Sequence, residues 1–62
     1  MNTNTNLQLE GLDLLSEGLV RIKKVIRLLP LLGVPIDGVE KLQNTITLML
    51  ALIQRMQLDL KT

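Results

Sequence analysis

The segment RLLPLLGVPIDGVEK, residues 27–41, divides the chain into two parts. It contains both prolines of the sequence, Pro30 and Pro35, and two of the four glycines. Proline lacks a backbone N–H and disfavours helical geometry in the residue before it, so a helix that reaches this segment is predicted to stop. We therefore predict a bend between two helices, with the turn at residues 30–37.

Apolar residues on both sides of the bend recur at alternating intervals of three and four residues. This heptad spacing is typical of helices that pack lengthwise against each other. The first series is Leu12, Leu15, Leu19, Ile22, Ile26 and Leu29. The second series is Val39, Leu42, Ile46, Met49, Ile53, Met56 and Leu60. The two series predict helices at about 7–29 and 38–60, with residues 1–6 as a polar lead-in and Asn6 as the N-cap.

The helix ends near the bend have their own signals. The first helix is predicted to end before Pro30, and the alternative is a further turn through Leu32 that ends on a left-handed Gly33. Asp37 and Glu40 have the spacing of a capping box, which predicts that Asp37 is the N-cap of the second helix.

Two helices of similar length with a short connection favour an antiparallel hairpin. The predicted fold is therefore all-α, with one helical-hairpin domain over residues 1–62. Within it, Ile46, Met49 and Ile53 are expected to close the second helix against the first.

The apolar surface of each helix is wider than one seam. The residues that widen it most are Leu14, Val25, Leu48 and Leu52. Burying these side chains is worth about 6–12 kcal/mol as an upper bound, which is comparable with the whole stability of a small domain. We therefore predict that they form an oligomer interface, in a four-helix bundle dimer or a higher helical assembly.

Two further features bear on assembly. Gly11 and Gly18 lie seven residues apart on one edge of the first helix, which indicates close helix approach, and the alternative is chance or flexibility. Between Lys41 and Arg55 the outer face of the second helix has no charge. That face is suited to contacts beyond a dimer, and the alternative is an uncharged solvated surface.

The basic residues concentrate in one segment, Arg21, Lys23, Lys24 and Arg27. They are candidates for nucleic-acid contact, because phosphate binding depends on clustered lysine and arginine. The alternative is structural, since cations favour the C-terminal end of a helix and Glu17 can pair with Arg21.

The composition argues against catalysis and against cofactors. The chain has no histidine and no cysteine, so Ser16 has no histidine to activate it and thiolate metal sites are excluded. Glu10, Asp13 and Glu17 are interpreted as dipole-favoured residues near a helix start rather than metal ligands. We expect no enzyme activity and no cofactor.

No stretch reaches the ~20 apolar residues of a membrane span, and the polar N-terminus does not resemble a signal peptide. Insertion of the apolar tip into a lipid surface is a minor alternative. The expected location is the cytoplasm or an assembled particle.

The function predicted from the sequence is a non-enzymatic, self-assembling hairpin that acts as a structural or protein-interaction module, such as a filament or coat subunit. Its partners are further copies of itself or another helical protein. The alternative is a small dimeric nucleic-acid-binding protein that uses residues 21–27.

Overall fold

The computed structural model describes residues 3–62, which form two long helices and a short connection. Helix α1 spans Thr3–Ile26, a 3₁₀ helix spans Leu29–Leu32, and helix α2 spans Ile36–Lys61. The two long helices pack against each other as a rod with principal extents of 48 × 15 × 10 Å, and no strand occurs within residues 3–62. The predicted helical hairpin is confirmed.

The end of α1 is set by Pro30. Proline cannot donate to the carbonyl four residues earlier, which is that of Ile26, and its ring clashes with that carbonyl. The last helical turn accordingly tightens, and the Leu28 N–H donates to the carbonyl of Val25 at 2.9 Å. The predicted end at residue 29 is therefore three residues too late, because α1 ends at Ile26.

The connection then makes one 3₁₀ turn that ends on Gly33. This agrees with the alternative prediction of a further turn through Leu32 that ends on a left-handed Gly33. Gly33 has a φ of 89°, and its N–H donates to the Pro30 carbonyl at 3.2 Å. The Val34 N–H donates to the Leu29 carbonyl at 3.1 Å. This pair of bonds is the Schellman arrangement, and Leu29 and Val34 both pack against the core, as that motif favours.

Helix α2 begins at Ile36, two residues earlier than predicted. Its N-cap is Pro35, with φ −59° and ψ 137°, and no side chain caps the first turn by a hydrogen bond. The predicted role of Asp37 as the N-cap is therefore wrong. Asp37 lies inside the first turn, where its carboxylate still favours the positive end of the helix.

The start of α1 also differs from the prediction. Residues 3–6 are helical rather than a lead-in with Asn6 as the cap, and residues 1 and 2 lie outside the described part. The half-buried Thr5 precedes the core-packed Leu12 by one heptad, so the contact row of the helix already begins there.

Candidate functional site

The core of the hairpin uses half of each heptad series. The buried residues are Leu19, Ile26, Val39, Ile46 and Ile53. Within each helix they recur at intervals of seven residues. The row beside them in the seam is half-buried and partly polar, and it consists of Ser16, Lys23, Gln43, Leu50 and Gln57.

The other half of each series is exposed to solvent, except for Leu29 in the connection, which is half-buried and packs against the core. Its exposed members are Leu15, Ile22, Leu42, Met49 and Met56, with exposures of 42% to 50%. The prediction that Met49 closes the hairpin with Ile46 and Ile53 is therefore wrong for Met49, since the half-buried Leu50 packs against the core instead. In an ideal heptad pair, both apolar rows of each helix would face the partner helix. Compared with that orientation, each helix is rotated about its own axis by about 50°, so one of its two apolar rows faces solvent.

These exposed rows of the two helices lie on the same side of the hairpin. In both helices the exposed residues come three positions after the buried ones. Because the helices run in opposite directions, this equal spacing places both exposed rows on the same side of the hairpin. A groove lined by both Leu15 and Met56 bears this out.

The resulting surface is called the apolar face. It comprises Leu15, Ile22, Val25, Leu42, Met49, Leu52 and Met56. Gly11 and Gly18 follow its edge on α1, and a Cβ atom added to either would meet nothing within 4 Å. The glycines are thus not required by close approach of α1 to α2 within the chain, and they leave a shallow strip beside the apolar face.

Hydrogen bonds between the helices lie on the opposite side, the polar face. The Lys23 Nζ donates to Thr47 Oγ1 at 2.7 Å, and the Gln57 Nε2 donates to Asp13 Oδ1 at 2.6 Å. Side-chain hydrogen bonds therefore connect the two helices on one side of the hairpin, and exposed apolar side chains form the other side. The two faces have opposite chemistry.

At the open end of the hairpin, where α1 begins and α2 ends, the apolar face forms a groove of about 570 Å³. The lining residues are Gln8, Gly11, Leu12, Leu15, Met56, Asp59 and Leu60. Leucine and methionine form most of this lining, and the one charged residue in it is Asp59.

All four residues predicted as an oligomer interface are exposed in the hairpin. Val25 and Leu52 belong to the apolar face, with exposures of 60% and 61%. Leu14 and Leu48, at 62% and 71%, lie on the two outer edges, because each is about 180° from the direction of the partner helix. The exposed half of the heptad series was not predicted, because the spacing of a series does not show which of its residues face the second helix.

The basic segment is partly occupied within the hairpin. Lys23 is half-buried and bonded to Thr47, whereas Arg21, Lys24 and Arg27 are exposed at intervals of three residues. The predicted Glu17–Arg21 pair is not formed in residues 3–62, and Arg55 and Asp59 make an ion pair there at 3.5 Å.

The acidic residues of α1 do not gather. Asp13 accepts the bond from Gln57, and over residues 3–62 no group of three or more metal-ligating side chains comes together.

The tip of the hairpin, residues 27–35, exposes large apolar side chains. Leu31 and Leu32 are 82% and 78% exposed, more than any other large hydrophobic residue of the described part. The 3₁₀ helix and the Gly33 cap hold these leucines at the end of the rod.

No helix within residues 3–62 is long and apolar enough to cross a membrane. No known protein family, no curated protein and no solved structure matches the chain.

Proposed function

We propose that this protein is a non-enzymatic, self-assembling helical hairpin, and that two copies bury their apolar faces against each other in a four-helix bundle. The observation that carries the proposal is the apolar face itself, which collects the exposed half of both heptad series on one side. Helices with heptad spacing bury both rows when they pack in bundles. A second copy supplies the missing contact.

The energies support an association of this kind. The seven residues of the apolar face keep 42% to 61% of their surface in solvent. Burying that remainder is worth about 5–10 kcal/mol per chain, or about 10–20 kcal/mol per pair, as an upper bound. The loss of translational and rotational freedom costs about 4–15 kcal/mol, so the gain is large enough to offset it.

The outer edges provide a route to larger assemblies. Leu14 and Leu48 remain exposed at the two edges when the apolar faces pair, and the outer surface beside Leu48 has no charge from residue 42 to residue 54. Uncharged polar groups are less costly to bury than charged ones. We propose that these edges join pairs into a filament or a coat-like layer.

The experiment compares two variants of neighbouring residues in α1. Ile22 and Val20 are both β-branched, with exposures of 50% and 42%, but Ile22 belongs to the apolar face and Val20 lies about 200° away around the helix. We expect Ile22→Glu to convert the protein to a monomer in sedimentation velocity, because a charge would be buried unpaired. Val20→Glu should keep the native mass. If the two variants had the same native mass, the proposal that the apolar face is the contact between two copies would be wrong.

A second candidate is a dimer that binds nucleic acid through the basic segment. Arg21, Lys24 and Arg27 are exposed and form no ion pair within residues 3–62, and a dimer doubles their number. Phosphate contacts by such residues give binding that weakens steeply with salt. The chain has no aromatic residue for base stacking, which favours the structural proposal.

A further inference from the structure

We infer that the two copies pair antiparallel, so that the leucine tip of each hairpin lies in the groove at the open end of the other. This inference rests on the proposed pairing of the apolar faces and adds its orientation and its end contacts. The occupant of the groove is therefore residues 27–35 of a second copy, with Leu31 and Leu32 as the contacting residues.

The dimensions of the rod fit this arrangement. When two rods 48 Å long overlap fully and run in opposite directions, the tip of each lies level with the open end of the other. The groove lies near that end, on residues 8–15 of α1 and residues 56–60 of α2. A two-fold axis across the middle of the rods relates the two contacts, so both tips and both grooves are used within one pair.

The chemistry of the two ends is complementary in polarity. The groove has a volume of about 570 Å³, and most of the residues that line it are apolar. Leu31 and Leu32 are the most exposed large hydrophobic side chains of residues 3–62, and no charged residue occurs from Leu28 to Ile36. The antiparallel pair covers both of these surfaces with one contact.

The charges of the two ends are also complementary. Residues 20–42 around the tip contain five basic and two acidic side chains, a net charge of +3. The rest of the chain contains two basic and four acidic side chains, a net charge of −2. An antiparallel pair places the positive half of each copy beside the negative half of the other, whereas a parallel pair places like charges together.

Cysteine cross-linking tests the orientation without a background, because the chain has no cysteine. The two variants are Leu32→Cys at the tip and Gln8→Cys in the groove lining, each at an exposed position. A mixture of the two is dissociated, reassociated and treated with a short bifunctional maleimide, and the linked peptides are identified by mass spectrometry. We expect abundant links between residue 32 and residue 8, and few links when either variant is treated alone.

Two outcomes would overturn the inference and leave the pairing of apolar faces intact. One is efficient linking of Leu32→Cys to itself within an isolated dimer, which a parallel pair would give. The other is a native dimer in which the mixture gives no link between residues 32 and 8. A monomeric wild-type protein would instead contradict the proposed function, and with it any orientation of the pair.

Discussion

Ile46 and Met49 belong to the same apolar series, yet Ile46 is buried and Met49 keeps 42% of its surface exposed. The difference arises because Ile46 and Ile53 contact the first helix together with Leu50, whereas a regular heptad pair would use Met49 in place of Leu50. At the scale of single residues, exposure therefore separates the side chains that hold the hairpin together from those available to a second copy.

Leu48→Glu tests the outer edge at this scale. Leu48 is 71% exposed in the hairpin, so a charge at this position would change the stability of an isolated chain by less than about 0.5 kcal/mol. If the edge joins pairs to one another, the charge is buried at each contact. We expect light scattering to show a native mass reduced toward that of the pair.

The control for this variant is Leu58→Glu, in the same helix and 59% exposed on the side away from the apolar face. It should keep the wild-type mass. If Leu48→Glu left both the native mass and the melting temperature unchanged, the outer edge at Leu48 would not be a contact between pairs.

At the scale of secondary-structure elements, the two prolines and the apolar spacing predicted the existence and order of both helices and the position of the bend. The rotation of each helix was not predictable, because a heptad series fits either one neighbouring helix or several. That rotation is expressed in one core cluster built from residues distant in the sequence, Leu19 and Ile26 of α1 with Ile46 and Ile53 of α2, and sequence spacing does not encode it. The predicted capping by Asp37 failed because helical geometry already begins at Ile36.

The connection between the helices depends on Gly33. Its φ of 89° lies in the left-handed region, which costs an alanine about 1–2 kcal/mol. We expect Gly33→Ala to lower Tm by about 4–16 °C at fixed protein concentration, measured by circular dichroism.

Gly38→Ala is the matched variant in the first turns of α2. Gly38 has no positive φ, and an added Cβ would meet nothing within 4 Å. Its replacement should leave Tm unchanged or raise it, because alanine favours the helix by about 0.5–1 kcal/mol. A loss of stability in Gly38→Ala equal to that in Gly33→Ala would show that the Gly33 cap is not the cause.

At the scale of the whole molecule, the rod has an apolar face, a polar face, a positive tip end and a negative open end. The sequence placed four basic residues in one segment and showed an apolar surface wider than one seam, and the association predicted from that surface stays a prediction. The division into two faces required the structure, because it depends on which side of the hairpin carries the Lys23–Thr47 and Gln57–Asp13 bonds.

The double variant Arg21→Gln, Lys24→Gln separates the structural proposal from nucleic-acid binding. Both side chains are exposed and form no ion pair in the described chain, so we expect their loss to leave the native mass of the assembly unchanged. Fluorescence anisotropy with duplex DNA and RNA at several salt concentrations provides the second readout. Tight, salt-sensitive binding by the wild type that the double variant lacks would favour the nucleic-acid function instead.

The central claim is that the apolar face is covered by a second copy of the chain. The most direct measurement is the native mass of the wild-type protein by sedimentation equilibrium over a wide range of concentrations, set against 7.0 kDa for one chain. We predict a mass of two chains or a multiple of two, with stability that rises with concentration. A folded helical monomer of 7.0 kDa at the highest concentration would contradict the claim.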